Sequence, residues 1–320
     1  MTDYDNRKEF IMKLFDLHCD TAMVAYRHGA SLKHNDLHIS LERAAGYEKY
    51  VQLTAMFTYQ QYSDEEGWEV FQRAHEFLEK ECAENGIPLL RTSADLEAFE
   101  NSDQKTAFLL TVEDVRILNG KIERVKELFD CGVRVVTPLW GGKTCIGGSH
   151  NTDEGLTEFG RAAVREMLRV GIIPDVSHAS FASTDEILDL CEAAGKAPVA
   201  THMNSYAIRA HSRNLTDERF VRLTNLGGVA GVSLCPPHLS DQECTADDPA
   251  RHFLHYESLV PGHAVFGCDY DGTDVSDDLC GVDKLPLVAE KLREAGMSEK
   301  AVDDICYNTA YNFMKTNLPK

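Results

Sequence analysis

The 320-residue sequence has no CxxC pair and no dense cysteine cluster; its ten cysteines are scattered from Cys19 to Cys306. Buried, reduced thiols are therefore the default reading. No basic run is present, and the formal charge of −20 disfavours nucleic acid and anionic lipid as partners. No apolar run approaches the eighteen or so residues of a membrane span. Met1 to Phe10 is polar and charged and lacks the apolar stretch of a secretory signal. A cytoplasmic protein without a membrane partner is the expectation. No glycine-rich phosphate fingerprint follows the first apolar run, which argues against a dinucleotide fold. With no linker, low-complexity segment or internal repeat, one domain over residues 1–320 is expected.

What is present is a 43% hydrophobic chain, enough for a large core, in which short apolar runs alternate with amphipathic segments. Eight runs read as strands: Met12 to Leu17, Val51 to Phe57, Ala107 to Val112, Val133 to Thr137, Ile172 to Val176, Pro198 to Thr201, Gly228 to Leu234 and Ala264 to Cys268. Between them, Glu65 to Ala83, Ile122 to Cys131, Thr157 to Val170, Thr184 to Ala194 and Asp217 to Asn225 carry helical spacing. Thr157 and Thr216 stand at helix-start positions. Pro286 to Asn317 reads as two further helices. This alternation predicts an α/β fold of the closed (β/α)8 TIM-barrel type with extra C-terminal helices.

Metal-type residues fall at one end of these strands. His18 and Asp20 follow the first, Glu113 closes the third, and His178 and His202 follow the fifth and sixth. In an extended segment residues i and i+2 share a side, so His18 and Asp20 can face one ion. The carboxyl ends of barrel strands are where active sites are built. Five such ligands exceed the needs of one open zinc site, and the two oxygens of Glu113 could bridge two ions. Two-metal chemistry of that kind is hydrolysis.

From Phe15-Asp16-Leu17-His18-Cys19-Asp20 onward the chain resembles the membrane (renal-type) dipeptidase family of binuclear zinc peptidases. Its most specific blocks are Gly155-Leu156-Thr157-Glu158-Phe159-Gly160-Arg161 leading to Asp175-Val176-Ser177-His178, and Thr201-His202-Met203-Asn204-Ser205 leading to Ser212-Arg213-Asn214. Gly267-Cys268-Asp269-Tyr270-Asp271-Gly272 and Asn308-Thr309-Ala310 extend the match. The resemblance implies two Zn2+ ions held by His18, Asp20, Glu113, His178 and His202, bridged by Glu113 and a water or hydroxide. It implies Arg213 on the substrate carboxylate, Asp269 as the proton-exchanging catalytic carboxylate, L,L- or L,D-dipeptides as substrates, and a homodimer.

Two departures stand out. Family members carry a His after the fourth strand that contacts the scissile carbonyl; here Trp140 occupies that place, as in many bacterial relatives, and His150, further along the same loop, is either a candidate substitute for it or a surface loop histidine. Glu113-Asp114-Val115 replaces the usual Glu-Gly-Gly, adding charge and bulk near the metals. Asp175 reads as an orienting residue, Asp16 and Asp271 as supporting or turn residues, His211 as a loop residue, and Tyr59, Gln60 and Tyr62 as lining the mouth. Competing functions are a zinc amidohydrolase for N-acyl-amino acids or lactams, and a metal-binding scaffold or sensor impaired in catalysis.

Overall fold

The computed structural model describes residues 12–58 and 60–320. Seven strands form one parallel sheet: β1 (Lys13–Cys19), β2 (Lys49–Phe57), β3 (Thr106–Glu113), β4 (Val135–Thr137), β5 (Ile173–Pro174), β6 (Ala230–Val232) and β7 (Ala264–Phe266). Their order is β5-β4-β3-β2-β1-β7-β6. The expected sixth strand, Pro198 to Thr201, is not a strand run. It contributes two isolated parallel bridges, Asp175↔Val199 and Ala200↔Ala230. Backbone bonds Val199 N→Pro174 O (3.1 Å), Val176 N→Val199 O (2.9 Å), Ala200 N→Val229 O (3.0 Å) and Gly231 N→Ala200 O (2.7 Å) close the ring through it. The run is short because Pro174 and Pro198 each remove a ladder donor from neighbouring staves.

A second core cluster places side chains from all eight staves together: Phe15 and Leu17, Val51 and Leu53, Ala107 and Leu109, Val135, Ile173, Val199, Val229 and Val265. This is the packed interior of a barrel, with the period-2 alternation visible in the three long strands. Tyr307, Ala310, Phe313 and Met314 join the same cluster, so the C-terminal helical run plugs the end opposite the metal-type residues. That run is a π turn, Asp304–Asn308, between Glu299–Asp303 and Thr309–Asn317; with Pro286–Glu294 it makes the two expected tail helices. The other core cluster fills the layer between sheet and outer helices.

The start signals work as capping chemistry predicts. Thr157 Oγ1 accepts from Gly160 N at 2.9 Å, and Thr216 Oγ1 from Arg219 N at 3.4 Å. The helix expected from Thr184 begins at Phe181, because Ser180 Oγ caps it at Ser183 N. A helix at Asp247–Leu259 lay outside the periodicity reading; Pro249 in its first turn resembles a break, yet the first turn is where proline fits a helix.

Candidate metal centre

Each candidate ligand is aimed by its strand end. Between Asp16 and Cys19, β1 carries one residue more than β2, since Asp16 pairs with Gln52 and Cys19 with Thr54. His18 therefore lies inside β1 rather than after it. The bulge turns it inward just above Leu17. Asp20 is not extended (φ −101°, ψ 4°), so the bulge and this turn, rather than simple i, i+2 alternation, bring the two side chains together. Glu113 ends β3 as expected. His178 and Asp269 both have left-handed backbone, φ 65° and 64°, which redirects each side chain as the chain leaves the barrel.

His18 Nε2 stands 3.6 Å from Asp20 Oδ2, 3.6 Å from Glu113 Oε2 and 3.8 Å from Asp269 Oδ1. The other Glu113 oxygen, Oε1, lies 2.8 Å from His178 Nε2 and 3.4 Å from His202 Nε2. Those two nitrogens are 2.9 Å apart. His178 Nδ1 donates to the Trp140 carbonyl at 3.1 Å, and His202 Nδ1 donates to Thr201 Oγ1 at 2.8 Å. Thr201 Oγ1 in turn donates to Asp175 Oδ2. These partners assign the ring proton to Nδ1 in both rings, so two nitrogen lone pairs and a carboxylate oxygen converge with no proton among them. His18 Nε2 and Glu113 Oε1 are buried without a hydrogen-bond partner. Buried acceptors packed face to face demand a cation, and this imidazole and carboxylate set suits zinc. The residues therefore fit a bound metal ion, and His18, Glu113 and His202 bring donor atoms within 4.8 Å of one another, as do His18, Asp20 and Asp269.

The electrostatics agree. Burial pushes Asp20 up to about 6 and Asp269 up to about 8, against the pull of His18. Burial lowers His18, but Glu113 and Asp20 outweigh it and raise its pKa well above the ordinary value. Burial and the Arg213 guanidinium bring His178 down to about 4, and burial with His18 holds His202 well below its ordinary value. Without a cation the carboxylate half of the cluster draws protons; a metal ion competes for the same lone pairs. Gly272 completes this half, because a side chain there would run into the Asp20 and Asp269 carboxylates.

The supporting residues fall into place around the ligands. Asp175 accepts from Thr137 Oγ1 (2.6 Å), Ser177 N (2.8 Å), Thr201 N (3.0 Å) and Thr201 Oγ1, which makes it the orienting group expected rather than a ligand. Asp16 ties His18 N (3.3 Å) to Cys268 N (2.8 Å). Asp271 holds Thr21 Oγ1 and His38 N. Thr201 was missed, and nothing in its local pattern marks a hydroxyl as the carrier of a histidine tautomer.

Arg213 is 2% exposed, yet its Nε and one terminal nitrogen have no partner. The other terminal nitrogen donates to His202 O at 3.3 Å. His211 Nδ1 accepts from Arg213 N (3.1 Å), so this histidine shapes the Arg213 turn. Half-buried His150 meets His178 edge to face, ring centroids 5.8 Å apart, and its Nδ1 is 3.3 Å from Ser212 Oγ. The Trp140 ring packs 4.9 Å from Phe57 and 5.9 Å from His178. Gln60 Nε2 donates to Gly141 O at 3.4 Å; Tyr59 lies outside the described residues.

A profile of the membrane dipeptidase family, peptidase family M19, matches residues 8–316. The chain belongs to that family. Dipeptidase aclJ of Aspergillus oryzae is 29% identical over 227 residues, 68% of this chain and 52% of that protein. The chain spans about half the length of the fungal curated relatives it matches. Among solved structures, dipeptidase AC, a metallopeptidase of the same family, superposes with a TM-score of 0.88 at 22% identity over 97% of this chain and 100% of that one. A metallopeptidase from Rhodobacter sphaeroides, liganded with a phosphinate mimic of L-Ala-D-Ala, gives 0.86 at 23% identity over 96% and 99%. These likenesses establish the TIM-barrel-like fold.

Within the family, the Asp114 departure has a structural answer. Asp114 has φ 65°, a conformation glycine takes freely and aspartate tolerates. Its carboxylate accepts from Arg116 N (3.2 Å) and Nε (2.8 Å) and pairs with the same guanidinium a second time. The expected extra charge beside the candidate metal centre is thus paired with Arg116.

Proposed function

We propose that this chain is a binuclear zinc dipeptidase, with His18 and Asp20 on one ion, His178 and His202 on the other, and Glu113 bridging. The observation that carries the reading is the split of Glu113, one oxygen toward His18 and the other toward the facing His178 and His202 nitrogens. Two zinc ions there would supply a water made nucleophilic at neutral pH and Lewis-acid polarisation of the scissile carbonyl. Arg213 presents two free donors from a buried guanidinium, a fork suited to the C-terminal carboxylate of a dipeptide. Asp269 retains 13% of its side-chain exposure, and its Oδ1 lies 3.8 Å from His18 Nε2 at the open side of the cluster, where a carboxylate can accept and return a proton. It takes the proton from the attacking water and delivers it to the leaving amine. His150 and Trp140 wall the His178 side and contact the substrate. Tyr59 is proposed at the mouth.

The ten unpaired thiols support a reducing, cytoplasmic setting, and the family resemblance supports a homodimer. No helix among the described residues is long and apolar enough to cross a membrane. The test is metal analysis of the purified chain followed by a dipeptide panel with both stereochemistries at the second residue. About two zinc equivalents and turnover of free dipeptides are expected. A fully loaded protein that hydrolyses no member of the panel refutes the reading.

A further inference from the structure

Arg213 is carried by a loop with almost no regular structure, yet its guanidinium is buried with two nitrogens left without a partner. The loop is pinched at its base by Leu215 N→Asn204 O (2.8 Å) and Tyr206 N→Leu215 O (2.9 Å). Its lateral position depends on contacts to another segment, the short turn Pro236–Leu239 after β6. Arg209 Nε donates to Pro237 O at 3.2 Å, the His211 and His238 rings meet with centroids 4.7 Å apart, and two buried side chains add to those contacts. Asn214 Nδ2 donates to His238 O and to Arg209 O, each at 2.8 Å, joining the turn to the loop. His252, 0% exposed on the helix Asp247–Leu259, accepts from Ser205 N through Nδ1 (3.0 Å) and donates from Nε2 to Leu239 O (3.0 Å). One imidazole thus spans both walls, its tautomer set by a donor on one side and an acceptor on the other. Tyr256, one helical turn further on, reinforces the loop with its hydroxyl on Met203 O at 3.1 Å.

We infer that His252 is a positioning residue for substrate binding: with Asn214 it locks the Arg213 loop to the turn after β6 and sets where the guanidinium stands relative to His202. The inference rests on the proposed role of Arg213 and goes beyond it, because His252 belongs to neither the metal shell nor the substrate pocket. A purely structural histidine would affect all ligands alike. A residue that places Arg213 affects ligands in proportion to their use of the guanidinium.

The experiment compares the zinc-loaded full-length protein with His252→Leu and His252→Asn by calorimetric binding of a phosphinate dipeptide analogue, as its free acid and as its carboxamide. His252→Leu removes both bonds. In His252→Asn the amide oxygen takes the place of Nδ1 toward Ser205, so the milder variant decides the matter if the first does not fold. Free-acid affinity is expected to fall at least about tenfold more than carboxamide affinity in His252→Leu, with an intermediate effect in His252→Asn. In dipeptide turnover the same variants raise KM more than they lower kcat. Equal losses for acid and carboxamide in the variants, after a clear wild-type preference for the acid, overturn this inference alone. A wild-type protein that binds both forms equally overturns the Arg213 assignment and this inference together, and that measurement by itself identifies the case.

Discussion

Replacing Arg213 with methionine separates binding from stability more sharply than any other change at this site. The guanidinium is 2% exposed, and only one of its nitrogens has a partner, the His202 carbonyl at 3.3 Å. A charge-assisted hydrogen bond contributes about 1.5–3 kcal/mol, so two lost bonds to a substrate carboxylate amount to about 3–6 kcal/mol. At about 1.4 kcal/mol per tenfold, kcat/KM for a free dipeptide should fall about 10²- to 10⁴-fold. The loss should lie mainly in KM, because the carboxylate is held equally in ground and transition states. Stability should move the other way. A buried guanidinium with two empty donors is expensive, and methionine fills similar volume without that penalty, so the melting temperature should hold or rise. Steady-state kinetics on the dipeptide panel and thermal denaturation of the same preparations provide the assay. A kcat/KM within fivefold of wild type, or a large loss of stability with proportionate loss of activity, would refute the reasoning.

Three further outcomes are expected. Thr201→Val removes the hydroxyl that fixes the His202 tautomer and should weaken zinc binding about 10- to 100-fold, read by chelator competition. In the metal-free protein, Asp269 is raised by burial to about 8, above the unfolded carboxylate value of about 3.9. The folded chain then keeps a proton that the unfolded chain releases. Its stability contribution is full below about pH 4 and lost as pH rises through 8. Asp269→Asn should therefore gain melting temperature over wild type across that window, and a constant difference would contradict it. At Asp114, alanine and glycine both lose the Arg116 pair, but only alanine is strained at φ 65°. Urea denaturation should find Asp114→Ala less stable than Asp114→Gly by about 1 kcal/mol.

Much of the fold could be read from local pattern. The long strands β1, β2 and β3 show clear apolar runs, and Thr157 and Thr216 announce their helices with capping hydroxyls. The stave at 198–201 escapes such reading, since whether four residues make a strand or two bridges depends on the ladder donors that its own Pro198 and the neighbouring Pro174 lack. The helix Asp247–Leu259 is hidden by a proline whose meaning depends on its place in the turn. At the site, the ligand types and their strand-end positions were legible. The bulge before Cys19, the left-handed residues His178 and Asp269, and the hydroxyl of Thr201 were not, because each re-aims a side chain without changing the hydrophobic pattern.

Residue order alone determined the alternation of strands and helices, a property of near neighbours in the chain, and it pointed to a candidate donor set of three imidazoles and two carboxylates through their places at strand ends. Only the closed barrel decided which Glu113 oxygen faces which histidine, where each ring proton resides, and that two Arg213 donors stay free. Those outcomes depend on groups separated by tens to hundreds of residues, and no local periodicity records a distance that exists only once the ring is closed.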